Sequence, residues 1–306
     1  MTHSHHHAGH PHGTTHDVGR VFALGVALNV GFVVVETAAG LWANSLALLA
    51  DAGHNLSDVL ALLLAWGATT LSARQPSARF TFGLRSTSVL AALANALLLL
   101  AVCGAIAWEA VGRLQLSVAV PGLPVIGVAA CGVVVNAATA LLFLRRQKVD
   151  LNARGAYLHM AADALVSLGV VAAGIGMLLT GWSWLDPVVS LAVVGVIFAS
   201  TWGLARDSLD LALHAVPSGI DPAAVRAFLA ARPGVADVHD LHIWGMSTTE
   251  NALSAHLVIP DGHPGDHFLA ETARELEQRF RIGHATLQIE HGDPEHPCGL
   301  EPDHVV

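Results

Sequence analysis

The sequence predicts an all-α bundle of six transmembrane helices followed by a small α+β module in the order αββαβ, and three observations carry that prediction. Of the 306 residues, 53% are hydrophobic and 13% charged, with positive mean hydropathy, far from the balance of a soluble domain. Six apolar stretches each reach the roughly 20 residues that a helix needs to cross a hydrocarbon core of about 30 Å. Past about residue 210, charge returns and apolar runs shorten to strand length.

The spans are expected near residues 19–41, 46–71, 87–109, 121–144, 155–180 and 183–205. Beyond them the pattern reads as a helix near 221–231, strands near 235–244 and 251–259, a helix near 266–280 and a strand near 285–290. Pro233 and Gly234 separate the first helix from its strand, and residues 260–265 form a turn-rich break. The order αββαβ is that of a split-βαβ module. The domains expected are a disordered arm at 1–18, the bundle at 19–210, a separate soluble α+β domain at 211–292 and a flexible tail at 293–306.

Basic residues orient the bundle. Arg74, Arg79 and Arg85 lie between spans two and three, and Arg145, Arg146, Lys148 and Arg154 between spans four and five, whereas the opposite connections offer Arg113. By the positive-inside rule the basic loops are cytoplasmic, and an even number of spans puts both termini there too. The expected location is the inner, or plasma, membrane. The polar, histidine-rich start of the chain predicts no cleaved signal peptide. Cys103 and Cys131 fall inside apolar spans and Cys298 stands alone, so no disulfide framework is expected.

Residues 1–16 carry seven histidines, His3, His5, His6, His7, His10, His12 and His16, among Gly, Ser, Thr and Pro, a composition that builds no core. Their scatter favours a native metal-collecting arm over a purification tag. From Arg206 onward, 16 acidic residues face five further basic ones and ten histidines. That balance excludes nucleic acid as a natural partner and suits cations.

The chemistry lies in the spans. Between residues 17 and 213 there are two histidines, and each is followed four residues later by an aspartate: His54 with Asp58, and His159 with Asp163. On a helix, positions i and i+4 share a face, so each pair can offer a nitrogen and an oxygen to one point. Ionisable groups inside a bilayer are costly and persist by facing the bundle interior with partners. An isolated pair would read as a hydrogen bond that tightens packing; its duplication favours a metal site. Two imidazoles and two carboxylates make a tetrahedral set suited to zinc, with the carboxylates cancelling the ion's charge. The same site invites proton competition, since histidine titrates near neutrality and metal ligands must be deprotonated. Asp51, one turn before His54, is expected to hydrogen-bond at the helix start more than to stage an ion. Asn29, Glu36, Asn95 and Asn136 read as interhelical polar contacts.

The segments Leu49–Asp58 and Gly155–Asp163 resemble the two metal-binding stretches of the cation diffusion facilitator transporters. The resemblance covers nearly the whole chain, including Phe82-Gly83, Asp186-Pro187 and His239-Asp240-Leu241-His242-Ile243-Trp244, and is closest to the bacterial branch linked to zinc, cobalt and cadmium resistance. It implies a homodimeric carrier exporting cytoplasmic zinc in exchange for protons, with a ferredoxin-like cytoplasmic domain that binds metal and helps dimerise. It places transport ligands on His54, Asp58, His159 and Asp163, and cytoplasmic zinc ligands on His239, His256 and Glu290. Histidine at position 54 resembles the zinc-preferring pattern. His242, His263, His267, His284, His291 and Cys298 are weaker candidates. Residues 77–85 lack the histidine and aspartate of a loop metal site found in some members, and Ser88 stands where a glutamate is common.

Other functions fit less well. Manganese prefers oxygen-rich sites, and the two histidines argue against it, though not against cobalt. An intramembrane metalloprotease would need His-Glu-x-x-His and an open coordination position, and the chain has no such motif; no enzyme is expected. A membrane-anchored metal sensor leaves the duplicated ligands in the spans without a purpose.

Overall fold

The computed structural model describes residues 15–72, 75–114, 118, 120–144 and 151–301. The six histidines from His3 to His12, and Arg74, Arg145, Arg146 and Lys148, lie outside these residues. Among the described residues, six long helices come first: α1 (Thr15–Ala43), α2 (Leu46–Ser72), α3 (Thr87–Leu114), α4 (Gly122–Leu144), α5 (Leu151–Thr180) and α6 (Leu185–Ala212). They are followed by α7 (Pro222–Ala230), β1 (Asp237–Gly245), β2 (Asn251–Val258), α8 (Asp266–Phe280) and β3 (Ile282–Glu290).

Among the described residues, α3, α6, residues 122–141 of α4 and residues 157–180 of α5 are long and apolar enough to cross a membrane. The apolar stretch of α1, Asn29–Ala43, is shorter, and α2 carries Asp51, His54 and Asp58. Large side chains such as Trp42, Trp108, Leu123 and Leu179 stand exposed along these helices, as expected of surfaces that meet lipid rather than water. Several boundaries run past expectation, among them the start of α1 at Thr15, the end of α3 at Leu114 and the start of α5 at Leu151. Helix α6 continues to Ala212, because Leu204, Ala205, Arg206, Leu209, Leu211 and Ala212 are good helix formers and Arg206 pairs with Asp210 one turn on at 4.0 Å. Strand β3 begins at Ile282, where pairing with Asn251 of β2 extends it.

Contacts divide the chain into two units: residues 1–59 with 101–198, and residues 60–100 with 199–306. In the first unit, one carboxylate fixes where α2 starts. Asp186 Oδ2 accepts from Leu46 N at 2.9 Å, and its Oδ1 accepts from Ser45 Oγ at 2.5 Å and Ala47 N at 3.4 Å. Ser45 Oγ in turn accepts from Leu48 N at 3.3 Å. Orphan N–H groups at a helix start are thereby satisfied by a buried anion. Just before, Asn44 adopts φ 53, the left-handed conformation that ends a helix. Arg113 donates to its backbone oxygen at 2.6 Å and its Oδ1 at 2.7 Å. Helices α4 and α5 approach closely through glycines: a Cβ at Gly122 would lie 2.7 Å from Gly174 O, and one at Gly174 would lie 2.7 Å from Ile126 Cγ1. Small residues at such crossings let membrane helices pack backbone to backbone.

In the second unit, β1, β2 and β3 form a sheet in that order, with β1 antiparallel and β3 parallel to β2. Val225 and Leu229 of α7 and Phe268 and Leu276 of α8 join the strand residues Val238, Ile243, Leu253 and Leu257 in one buried apolar cluster. Asp221 caps α7, accepting from Ala223 N at 2.9 Å, with Pro222 at the first helical position. The α2–α3 connection and the first turn of α3 lie against the β1–β2 turn: Arg85 pairs with Glu250 at 2.8 Å, and Ser88 Oγ accepts from Thr248 N at 3.2 Å.

Candidate metal centres

The first centre forms between α2 and α5. One helical turn separates His54 from Asp58 and His159 from Asp163, so each helix turns a nitrogen and a carboxylate to the same side. The shortest contacts nevertheless cross between helices. His54 Nε2 lies 3.1 Å from Asp163 Oδ1, and His159 Nε2 lies 3.2 Å from Asp58 Oδ2, against 3.8 Å and 3.7 Å within the pairs. The two rings meet edge to face with centroids 5.9 Å apart. One ligand atom each from His54, Asp58 and Asp163 all lie within 4.8 Å of one another. His159 stands at the rim of that set, its side chain 46% exposed against 3% for Asp163. The site is therefore closed at Asp163 and open at His159.

A polar layer supports it. Ser167, one turn after Asp163, donates to Asp51 Oδ2 at 2.8 Å, and Asn55, next to His54, donates to Glu36 Oε2 at 3.0 Å. Glu36 and Asp51 are fully buried. Asp51 thus bonds across to α5 and not, as the sequence suggested, at the start of its own helix. The i+4 spacing of Asp163 and Ser167 was the available signal for that contact.

The second centre lies at one end of the sheet. His239 of β1 and His256 of β2 are cross-strand partners, and Glu290 ends β3. His239 Nε2 lies 3.2 Å from Glu290 Oε2, and His256 Nδ1 lies 3.0 Å from Glu290 Oε1. A bulge between His239 and His242, with Asp240 at φ 47, inserts an extra residue in β1. It turns Asp240 Oδ2 to 3.3 Å from His256 Nε2 and Oδ1 to 2.8 Å from His242 Nε2. Cys298 Sγ comes to 3.6 Å from His256 Nδ1, and one ligand atom each from His239, His256, Glu290 and Cys298 all lie within 4.8 Å of one another.

Burial by itself would raise the Glu290 carboxyl, but hydrogen bonds from Gln288 and Cys298 and the facing imidazoles hold it below its ordinary value. The Leu300 N–H favours a Cys298 thiolate, yet desolvation and the Glu290 and Asp240 carboxylates together push the thiol up. Of the other histidines, His284 packs edge-on against Phe82 with centroids 5.7 Å apart, and His263 Nδ1 accepts from Gly265 N. Neither joins a ligand set, nor do His242, His267 or His291 among the described residues. Sequence spacing missed Asp240, because only the bulge brings it to His256.

Two family models match the chain in succession: the cation efflux transmembrane domain over residues 22–211, and the cytoplasmic domain of cation efflux proteins over residues 217–292. The chain belongs to the cation efflux family. It is 34% identical to the metal cation efflux system protein CzcD of Cupriavidus metallidurans over 92% of this chain and 90% of that protein. It is 34% identical to zinc transporter ZitB of Escherichia coli over 97% and 94% of the two chains. It is also 33% identical to the cadmium, cobalt and zinc/H(+)-K(+) antiporter of Bacillus subtilis, over 91% and 92%. As a cation efflux protein the chain is a multi-pass membrane transporter and not an enzyme.

Proposed function

We propose that this cation efflux protein exports zinc from the cytoplasm in exchange for protons, and that His54, Asp58, His159 and Asp163 hold the ion in transit. The crossed contact of two histidine-aspartate pairs from α2 and α5 carries this reading. Two imidazole nitrogens and two carboxylate oxygens suit a tetrahedral divalent ion of intermediate softness, and two negative charges offset the ion's own. Because the donors come from two helices, a shift of α5 against α2 would loosen the site without breaking either helix. That is the element alternating access requires.

Proton exchange follows from the donor types. Metal binds the deprotonated set, so protons arriving from the far side displace it, and the protonated quartet returns inward. Zinc is favoured over cobalt and cadmium by the histidine at position 54 and by the name of ZitB; the names of the Cupriavidus and Bacillus relatives keep the wider set of metals in view. The expected assembly is a homodimer of six-span bundles with ferredoxin-like domains and both termini in the cytoplasm. His239, His256 and Glu290 are proposed to bind zinc there, as nitrogen and oxygen donors that already converge.

The test is zinc flux in proteoliposomes under an imposed pH gradient. Wild type should accumulate zinc against its gradient when protons run the opposite way, and Asp58→Ala should not. Zinc movement that ignores the pH gradient overturns proton exchange, and unchanged flux in Asp58→Ala overturns the site.

A further inference from the structure

The cytoplasmic cluster contains one more donor than its three strands supply. Strands β1, β2 and β3 bring His239, His256 and Glu290 together, and three donors leave zinc with an open position, as catalytic sites do. A transporter has no reaction to run at such a position. The fourth donor comes from the segment that follows β3. Gly292, at φ 68, turns the chain beside Val258, where a Cβ would meet Cγ1 at 2.9 Å. Asp293 accepts from Glu295 N at 2.9 Å, and Glu301 N donates to Cys298 O at 3.3 Å. These turns carry Cys298 back to the strand ends.

We propose that Cys298 is the fourth ligand of a divalent-metal site with His239, His256 and Glu290, and that the ion fastens residues 291–301 onto the sheet. The inference deepens the reading of the three strand residues as zinc ligands and rests on it. Two further observations support it. His239 is 3% exposed and neither of its ring nitrogens makes a well-formed hydrogen bond, although Nε2 lies 3.2 Å from Glu290 Oε2; an ion shared with Glu290 would satisfy that buried nitrogen. With an ion between His256 Nδ1, Glu290 and Cys298, the ring proton would sit on Nε2, where Asp240 Oδ2 stands ready to accept it at 3.3 Å. None of residues 291–301 belongs to the buried apolar cluster of the domain, so polar contacts and the ion decide where the segment sits. A sulfur donor tilts the site toward zinc and cadmium and away from manganese and magnesium.

Cobalt(II) added to the full-length protein in detergent distinguishes the outcomes. The proposal expects a near-ultraviolet thiolate-to-cobalt charge-transfer band that Cys298→Ser and His239→Ala each abolish and that Cys103→Ser and Cys131→Ser leave in place. Visible cobalt bands that depend on His239, without the charge-transfer band, would overturn the role of Cys298 and keep the three-residue site. No His239-dependent cobalt signal would overturn both. Alkylation of Cys298, followed by mass spectrometry of its peptide, needs no variant. Zinc at about 100 times its Kd should slow labelling about 100-fold by simple occupancy, and equal labelling with and without zinc would sink the proposal.

Discussion

His54 Nε2 lies 3.1 Å from Asp163 Oδ1 on α5 and 3.8 Å from Asp58 Oδ2 on its own helix. The partner relation runs between helices, and the reciprocal contact of His159 with Asp58 repeats it. Each helix is therefore half of two contacts, and neither half forms a site by itself. Removing one donor should break its crossed contact and leave the residue opposite without its nearest partner.

Substitutions His54→Ala and Asp163→Asn should each lower zinc affinity at the transport site by at least about 10- to 100-fold, the range already seen when outer supports of metal ligands are lost. Transport by the purified protein in proteoliposomes, with zinc concentration varied, reads that loss. Unchanged half-saturation in both variants would remove the quartet from the transport path.

His54→Asp exchanges a nitrogen donor for oxygen and leaves one imidazole in the set. Oxygen-rich sets accept manganese and similar hard ions more readily. The expected outcome is a gain of manganese flux relative to zinc, measured in vesicles loaded with a metal-sensitive dye.

Asp186→Ala removes the anion that accepts from Ser45, Leu46 and Ala47. Losing a helix cap costs about 0.5–2 kcal/mol, and this one is buried. A lower Tm is expected, with a weakened transport site because His54 sits two turns into the helix whose start Asp186 sets. Asp186→Asn, which keeps an acceptor oxygen, should fall between the two.

Glu290 supplies a pH dependence with a definite sign. Its folded-state carboxyl titrates below the ordinary 4.5, so the folded protein binds fewer protons than the unfolded chain over that range. The group stabilises the folded domain fully above the unfolded value, and that contribution fades as pH falls through the folded one. Thermal unfolding of the metal-free protein should show the loss only in the acid range, and Glu290→Gln should flatten it. A variant whose Tm tracks that of wild type down through this range contradicts the assignment.

Much of this was legible in the sequence because the signals were local. The i+4 spacing of His54 with Asp58 and His159 with Asp163 put a nitrogen and a carboxylate on one side of each helix, apolar run length located the long helices, and Pro233-Gly234 and residues 260–265 marked the breaks around the strands. Glu290 could be placed at a strand end but not given a partner by spacing, since its imidazoles lie on other strands. Cys298 could be offered only as a weaker candidate without partners, and Asp240 escaped, for the same reason: a turn at Gly292 and a bulge at Asp240 decide where they point, and both depend on backbone conformations that residue type permits without dictating.

The sequence by itself determined which donors exist and which helix or strand carries them, because a helical turn and a strand repeat are properties of the local chain. Only the tertiary structure decided who faces whom. His54 meets Asp163 before Asp58, and Cys298 closes on His256 across 42 positions, because packing sets distances between elements that no periodicity within one element contains.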